Sequence, residues 1–150
     1  MDLITQLKIF KGTKEYQKYI GYYRNGRFQV YKDHLGYPTI GYGHLIKKGE
    51  SFPNGLTDEE AEALLIKDIA IAENDYRTLN LNLPSVSRWH DFMIMMLFQV
   101  GLTKTRGFKK ALQALRDGRY NDAIAEFKNS NWYRQTPNRV NEMISYVTKG

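Results

Sequence analysis

The chain has 150 residues, one domain's worth, and at that length it can bury roughly two-thirds of its unfolded surface without staples. Hydrophobic residues are 42% and charged residues 25%, which excludes disorder, collagen-like repeats and a long coiled coil. There is no cysteine, which excludes a disulfide framework, thiolate metal sites and a cysteine nucleophile. The net charge is +6, and two basic regions flank an acidic middle: residues 51–100 hold three Lys/Arg against eight acids. A cationic surface attracts polyanions in general and selects none of them. No apolar run approaches 18 residues and the N-terminus lacks a signal-peptide core, so the chain is expected to be made as a soluble protein.

The first element is a helix. Leu3, Ile4, Leu7 and Phe10 recur at three- and four-residue steps, Asp2 is placed to cap them, and Gly12 stops the run. From Gly21 to His44 the texture changes to strand formers: Tyr22, Tyr23, Phe28, Val30, Tyr31, then Thr39, Ile40 and Tyr42. Asn25-Gly26 is a strong hairpin signal and His34-Leu35-Gly36 a second turn, so residues 19–46 read as a small antiparallel meander.

Helices resume at Thr57, which with Glu60 has the spacing of a capping box. Ala61, Leu64, Leu65, Ile69 and Ala72 then share one face. Asn80 to Pro84 is a break. Val86 to Val100 is apolar nearly all round, as a central buried helix is, and its methionines read as core filler. Phe108/Leu112/Leu115 and Tyr120/Ala123/Ile124/Phe127 follow. The last stripe is Val140/Ile144/Val147, with Thr136 as cap and Pro137 in the first turn. The reading is an α+β chain in a single domain, 1–150. It has a β-rich lobe at about 13–56, a linking helix at about 57–78, and a helical lobe of 1–12 plus 80–150. A cleft between two such lobes is the expected place for a ligand.

The chemistry narrows by exclusion. His34, His44 and His90 are scattered without metal-ligand spacing, so no metal and no cofactor is expected. Gly41-Tyr42-Gly43 lacks the rest of a phosphate loop, and there is no nucleophile elbow. Carboxylates remain. Asp33, taken alone, reads as a turn residue. In a cleft it could instead be a general base. Glycoside hydrolysis needs a second carboxyl group to protonate the leaving oxygen, and between Gly12 and Asp33 the only one is Glu15.

The run from Tyr31 to Leu45, YKDHLGYPTIGYGHL, resembles the signature of the phage-type lysozymes, glycoside hydrolase family 24. Phe98-Gln99-Val100-Gly101 with Gly107-Phe108, and Trp132 to Arg139, are similar to two further family blocks in the same order. The resemblance implies a small antiparallel β lobe joined by a long helix to a helical lobe. It implies hydrolysis, with inversion, of the β-1,4 bond between N-acetylmuramic acid and N-acetylglucosamine. Residue by residue, it places the water-activating aspartate on Asp33 and the helper threonine on Thr39. It places a structural pair on His44 and Asp68, an arginine near the acid on Arg139, and substrate-lining positions on Leu45, Phe98 and Gln99. The implied partner is the peptidoglycan glycan strand, met by a monomer that needs neither nucleic acid nor membrane. The implied location is synthesis in the host bacterial cytoplasm and action on the cell wall in the periplasm, whether as a free endolysin or a virion-associated lysozyme.

One position departs from the family. Its acid, a glutamate before a glycine at the end of the first helix, aligns with Lys11. With an ordinary pKa near 10, an ammonium is a poor acid toward a glycosidic oxygen. Three explanations stand side by side: a Glu-to-Lys change made in cloning, which relieves the toxicity of an active lysozyme; a natural member that has lost hydrolysis and kept sugar binding; or Glu15 serving as the acid. The plain reading of Glu15 is an exposed residue in a lysine-rich turn. The competing classes of function are a catalytically inactive peptidoglycan-binding member of the same fold and a nucleic-acid-binding helical domain, for which the charge allows but no motif speaks.

Overall fold

The structure is a computed structural model that describes residues 3–33, 35–84 and 87–149, without the side chain of Phe10. The expected cap Asp2, the turn residue His34 and the helix start Val86 lie outside the described residues. The chain divides into two compact units, Met1–Ala70 and Ile71–Gly150.

The first unit opens with α1 (Leu3–Lys11), which ends at Gly12, φ +105°. A short helix, α2 (Lys14–Tyr19), follows under the Thr13 cap, whose hydroxyl accepts from the Tyr16 amide at 3.2 Å. The sequence reading had a loop here. The pattern is silent because the one buried residue of α2 is Gln17, so no apolar stripe marks the helix.

The strands run β1 (Tyr23–Arg24), β2 (Arg27–Phe28), β3 (Tyr31–Lys32), β4 (Pro38–Ile40) and β5 (His44–Leu45). Asn25-Gly26 makes the β1–β2 turn with both residues at positive φ, +54° and +71°. The expected single meander is instead two sheets, β1-β2 and β3-β4-β5. The reason is that the outer edge of Phe28 is already taken: its amide donates to Leu56 O at 2.8 Å and its carbonyl accepts from Leu56 N at 2.9 Å. In the second sheet Tyr31 faces Thr39, and Thr39 faces Leu45.

α3 (Asp58–Arg77) begins at a reciprocal capping box, Thr57 N to Glu60 Oε1 at 2.9 Å and Glu60 N to Thr57 Oγ1 at 3.2 Å. α1 lies within the first of the two compact units. Lys8 of α1 pairs with Glu62 of α3 and sits 5.0 Å over the Tyr42 ring.

The second unit is helical. α4 (Arg88–Arg106) is capped by Ser87 and breaks at Gly101, φ +82° and ψ +170°. Phe92 through Leu97 are buried, with Met95 and Met96 at 0% exposure, as the all-round apolar run predicts. α5 (Lys109–Arg116), α6 (Tyr120–Lys128), α7 (Asn131–Gln135) and α8 (Pro137–Thr148) complete it. An aromatic cluster of Trp89, Phe92, Phe108, Phe127 and Trp132 fills its centre. α7 was not foreseen; one and a half turns under a Ser130 cap leave little periodicity to read. Thr136 occupies the cap position of α8 but makes no cap bond, because its hydroxyl donates back to Trp132 O at 3.0 Å.

Candidate active site

Asp33 sits at the end of β3, in the turn to β4. Its Oδ1 accepts from the amides of Leu35 at 3.0 Å and Tyr37 at 2.9 Å, while its own amide donates to Tyr37 O at 2.9 Å. One carboxylate oxygen is thereby oriented by the backbone. Oδ2 takes no partner among the described residues. Thr39 lies on the middle strand, 2% exposed, and its hydroxyl donates to Tyr37 O at 2.9 Å. Leu45 stands on β5, opposite Thr39 in the ladder, with 43% of its surface exposed.

Lys11 is the last residue of α1, and its aliphatic stem lies on the backbone of Gly43. A Cβ at Gly43 would fall 2.6 Å from Lys11 Cδ and 2.8 Å from Cγ, and φ there is +84°. The close approach and the left-handed backbone both call for glycine. The next residue, Gly12, is fixed by Gln17: its Nε2 donates to Gly12 O and to Gly41 O, both at 2.9 Å. The end of α1 is thus tied to the β4–β5 turn through one buried amide, whose Oε1 has no hydrogen-bond partner among the described residues. Glu15 is exposed, in the first turn of α2.

His44 and Asp68 meet, Nδ1 to Oδ2 at 2.8 Å, joining β5 to α3. The sequence reading missed the third member. Glu50 reaches the other ring nitrogen, Nε2, at 3.0 Å, and also accepts from the Lys47 amide at 2.7 Å. His44 is buried between two carboxylates, and the Asp68 bond, aided by Glu50, raises its pKa above the ordinary 6.5 against the opposing effect of burial. The Lys47 amide and His44 lower that of Glu50. Only the six-residue spacing of His44 and Glu50 could have signalled the contact, and no regular element has that period.

Two further clusters were not foreseen. Tyr23 Oη donates to Asp58 at 2.7 Å and Lys14 Nζ bonds the same carboxylate at 3.1 Å, which lowers the Asp58 pKa. Burial, with Glu62 and Asp58 nearby, pushes the Tyr42 phenol up to about 12.

In the second unit, Phe98 and Gln99 are half-buried on α4, and Gln99 Nε2 donates to Met143 Sδ at 3.2 Å. Arg139 is half-buried on α8. A cavity of about 700 Å³ lies in this unit, lined among others by Lys104, Lys109, Lys110, Phe108, Asn129 and Trp132. Phe108 and Trp132 belong to the two blocks noted in the sequence, but the three lysines around them were not singled out.

The phage lysozyme family model matches residues 23–144. The chain is 31% identical to the probable T4-type lysozyme 1 of Dictyostelium discoideum, over 83% of this chain and 88% of that protein. It is 30% identical to the pre-baseplate central spike protein Gp5 of Enterobacteria phage T4, over 83% of this chain and 26% of that protein. It is 28% identical to the peptidoglycan hydrolase gp36 of Pseudomonas phage phiKMV, over 91% of this chain and 15% of that protein. Positions 11 and 15 precede the span matched by the family model.

Proposed function

Because the chain belongs to the phage lysozyme family, we propose that it is a peptidoglycan hydrolase, a muramidase acting on the β-1,4 bond between N-acetylmuramic acid and N-acetylglucosamine with inversion. The observation that carries the reading is the Asp33 carboxylate, held by two amides through Oδ1. Proton acceptance from an attacking water then falls to Oδ2. Thr39 stands with that water in this reading. A hydroxyl that donates to a carbonyl keeps lone pairs for a further donor, and the Thr39–Tyr37 bond also steadies the turn that presents Asp33. Leu45, Phe98, Gln99 and Arg139 serve substrate binding. The cavity's three lysines outnumber its one carboxylate, Glu126, and the net positive charge suits the carboxylates of the peptide stems. The protein works as a monomer on the cell wall in the periplasm, without a cofactor.

The leaving-group step is the weak one. With Lys11 in place of a carboxylic acid, protonation of the glycosidic oxygen loses a contribution of roughly 10²–10⁴ in rate. That residue favours a second reading, a member that binds peptidoglycan without cutting it.

Dye release from labelled sacculi, run beside a pelleting assay, tests both. The unmodified chain should pellet with sacculi and release dye feebly, and Lys11→Glu should raise release by roughly 10²–10⁴. Glu15→Gln should change nothing. A chain that neither pellets nor releases dye overturns the peptidoglycan reading. Strong release that vanishes in Glu15→Gln moves the acid to Glu15, and a Lys11→Glu form that binds but stays silent favours the non-catalytic reading.

A further inference from the structure

We propose that Tyr16 and Tyr19 of α2 form an accessory glycan-stacking surface, on which saccharide rings of the peptidoglycan strand lie beside the candidate active site. The inference rests on the peptidoglycan reading above. At 100° per residue, the buried Gln17 points α2 inward, and Tyr16 and Tyr19 fall about 60° apart on one outer flank. Tyr16 is 55% exposed and Tyr19 87%.

The neighbouring tyrosines are differently employed. Tyr22 stacks on Tyr31 with ring centroids 4.6 Å apart, Tyr23 packs on Phe28 and bonds Asp58, and Tyr42 packs on Phe28. Among the described residues, neither Tyr16 nor Tyr19 enters a ring pair, a cation contact or a side-chain hydrogen bond. Two large rings are thus left facing water on a helix too short to need them for its own packing.

Three observations select the occupant. The first is continuity with the site. A Cβ on Gly12 would lie 3.7 Å from Tyr16 Cδ2, so the Tyr16 ring borders the residue next to Lys11. The Gln17 amide, bonded to Gly12 O and Gly41 O, holds the helix in that place. The second is ring chemistry. A pyranose offers an apolar C–H face rimmed by hydroxyls, and a tyrosine offers a flat apolar body with a polar tip at the cost of only two torsions. The third is charge. Lys14 and Arg27 are paired with Asp58 and Glu60, but Lys18, Arg24 and Lys32 stay exposed near α2 and β1–β3, a sign that suits a glycan strand bearing carboxylate-rich stems.

The test compares the full chain with Tyr16→Ala/Tyr19→Ala and Tyr16→Phe/Tyr19→Phe. Each is titrated against washed sacculi and against phosphatidylglycerol vesicles, and its oligomeric state is read by sedimentation. The alanine pair should bind sacculi roughly tenfold more weakly, from the loss of two ring contacts. The phenylalanine pair should bind like the unmodified chain, and all three should share one melting temperature. Equal sacculus binding by the alanine pair, while the unmodified chain binds well, overturns this inference alone. So does tight vesicle binding or self-association that the alanine pair abolishes, since the flank would then serve lipid or a second copy. An unmodified chain that does not bind sacculi overturns the peptidoglycan reading and this inference with it.

Discussion

Asp33 and Thr39 are joined through a single intervening residue: the Asp33 carboxylate accepts from the Tyr37 amide, and the Thr39 hydroxyl donates to the Tyr37 carbonyl, each at 2.9 Å. The candidate base and its helper are therefore parts of one hydrogen-bonded turn, and disturbing either changes where the other stands.

That arrangement separates two roles of Asp33. Asparagine keeps an oxygen for the two amides but cannot take a proton, so Asp33→Asn should melt within about 0.5 kcal/mol of the unmodified chain while losing at least about 10²-fold in hydrolysis. Asp33→Ala should lose activity and about 1 kcal/mol or more of stability, because two turn amides lose their acceptor. Measured in a Lys11→Glu background, where release is large enough to follow, an Asp33→Asn form with full activity removes Asp33 from the chemistry.

His44 carries a pH dependence of known sign. Its folded pKa is raised, so the imidazolium's contribution is complete below about pH 6.5 and fades as pH rises through the higher folded value. Glu50 is lowered from 4.5, so its contribution is complete above that pH and fades as pH falls through its folded value. Asp68→Asn should cost roughly 1.5–3 kcal/mol at pH 5.5, by urea unfolding, and visibly less at pH 9. A cost equal at the two pH values rules out a charged bond. Glu50→Gln should show the same direction with a smaller size, since Glu50 is about a third exposed.

Gln17 joins α1 to the β4–β5 turn by two donors on one nitrogen. Gln17→Leu fills the space and leaves two carbonyls unpaired, which should cost about 1–3 kcal/mol. Gln17→Glu, burying a carboxylate against two carbonyl oxygens, should cost more, and more at pH 8 than at pH 4. Thermal melts of the two variants across that range check the order; equal loss in both would show that the amide's bonds contribute little.

Gly55 is held against Phe28. An added Cβ would lie 2.3 Å from the Phe28 carbonyl oxygen, at φ +68°. Gly55→Ala should cost at least about 2 kcal/mol, because backbone and not a flexible side chain must yield. Gly26→Ala, in open space at φ +71°, should cost less. The same melting temperature for both variants would show that the Phe28–Leu56 bridge is not held where the structure places it.

Much of the secondary structure was written locally. The Asn25-Gly26 hairpin, the Thr57/Glu60 capping box, the stop at Gly12 and the buried helix around Met95 each depend on residues within a few positions of one another, where backbone preference and periodicity act directly. The α+β class followed from the same kind of reading; the residues of the candidate site did not, and were expected only because three blocks resemble a known family. Tertiary structure decided the rest. The pairing of Phe28 with Leu56 split one expected meander into two sheets. Gln17 became a core residue by bonding carbonyls five and twenty-four positions away, which no hydrophobic pattern encodes. Glu50 joined His44 through a loop without a period. Lys11, read as a charge, proved also to be an aliphatic stem covering Gly43. In each case polar bonds or backbone contacts formed only once distant segments met. A single sequence records apolar periodicity and turn chemistry, but it does not record which polar group will find which.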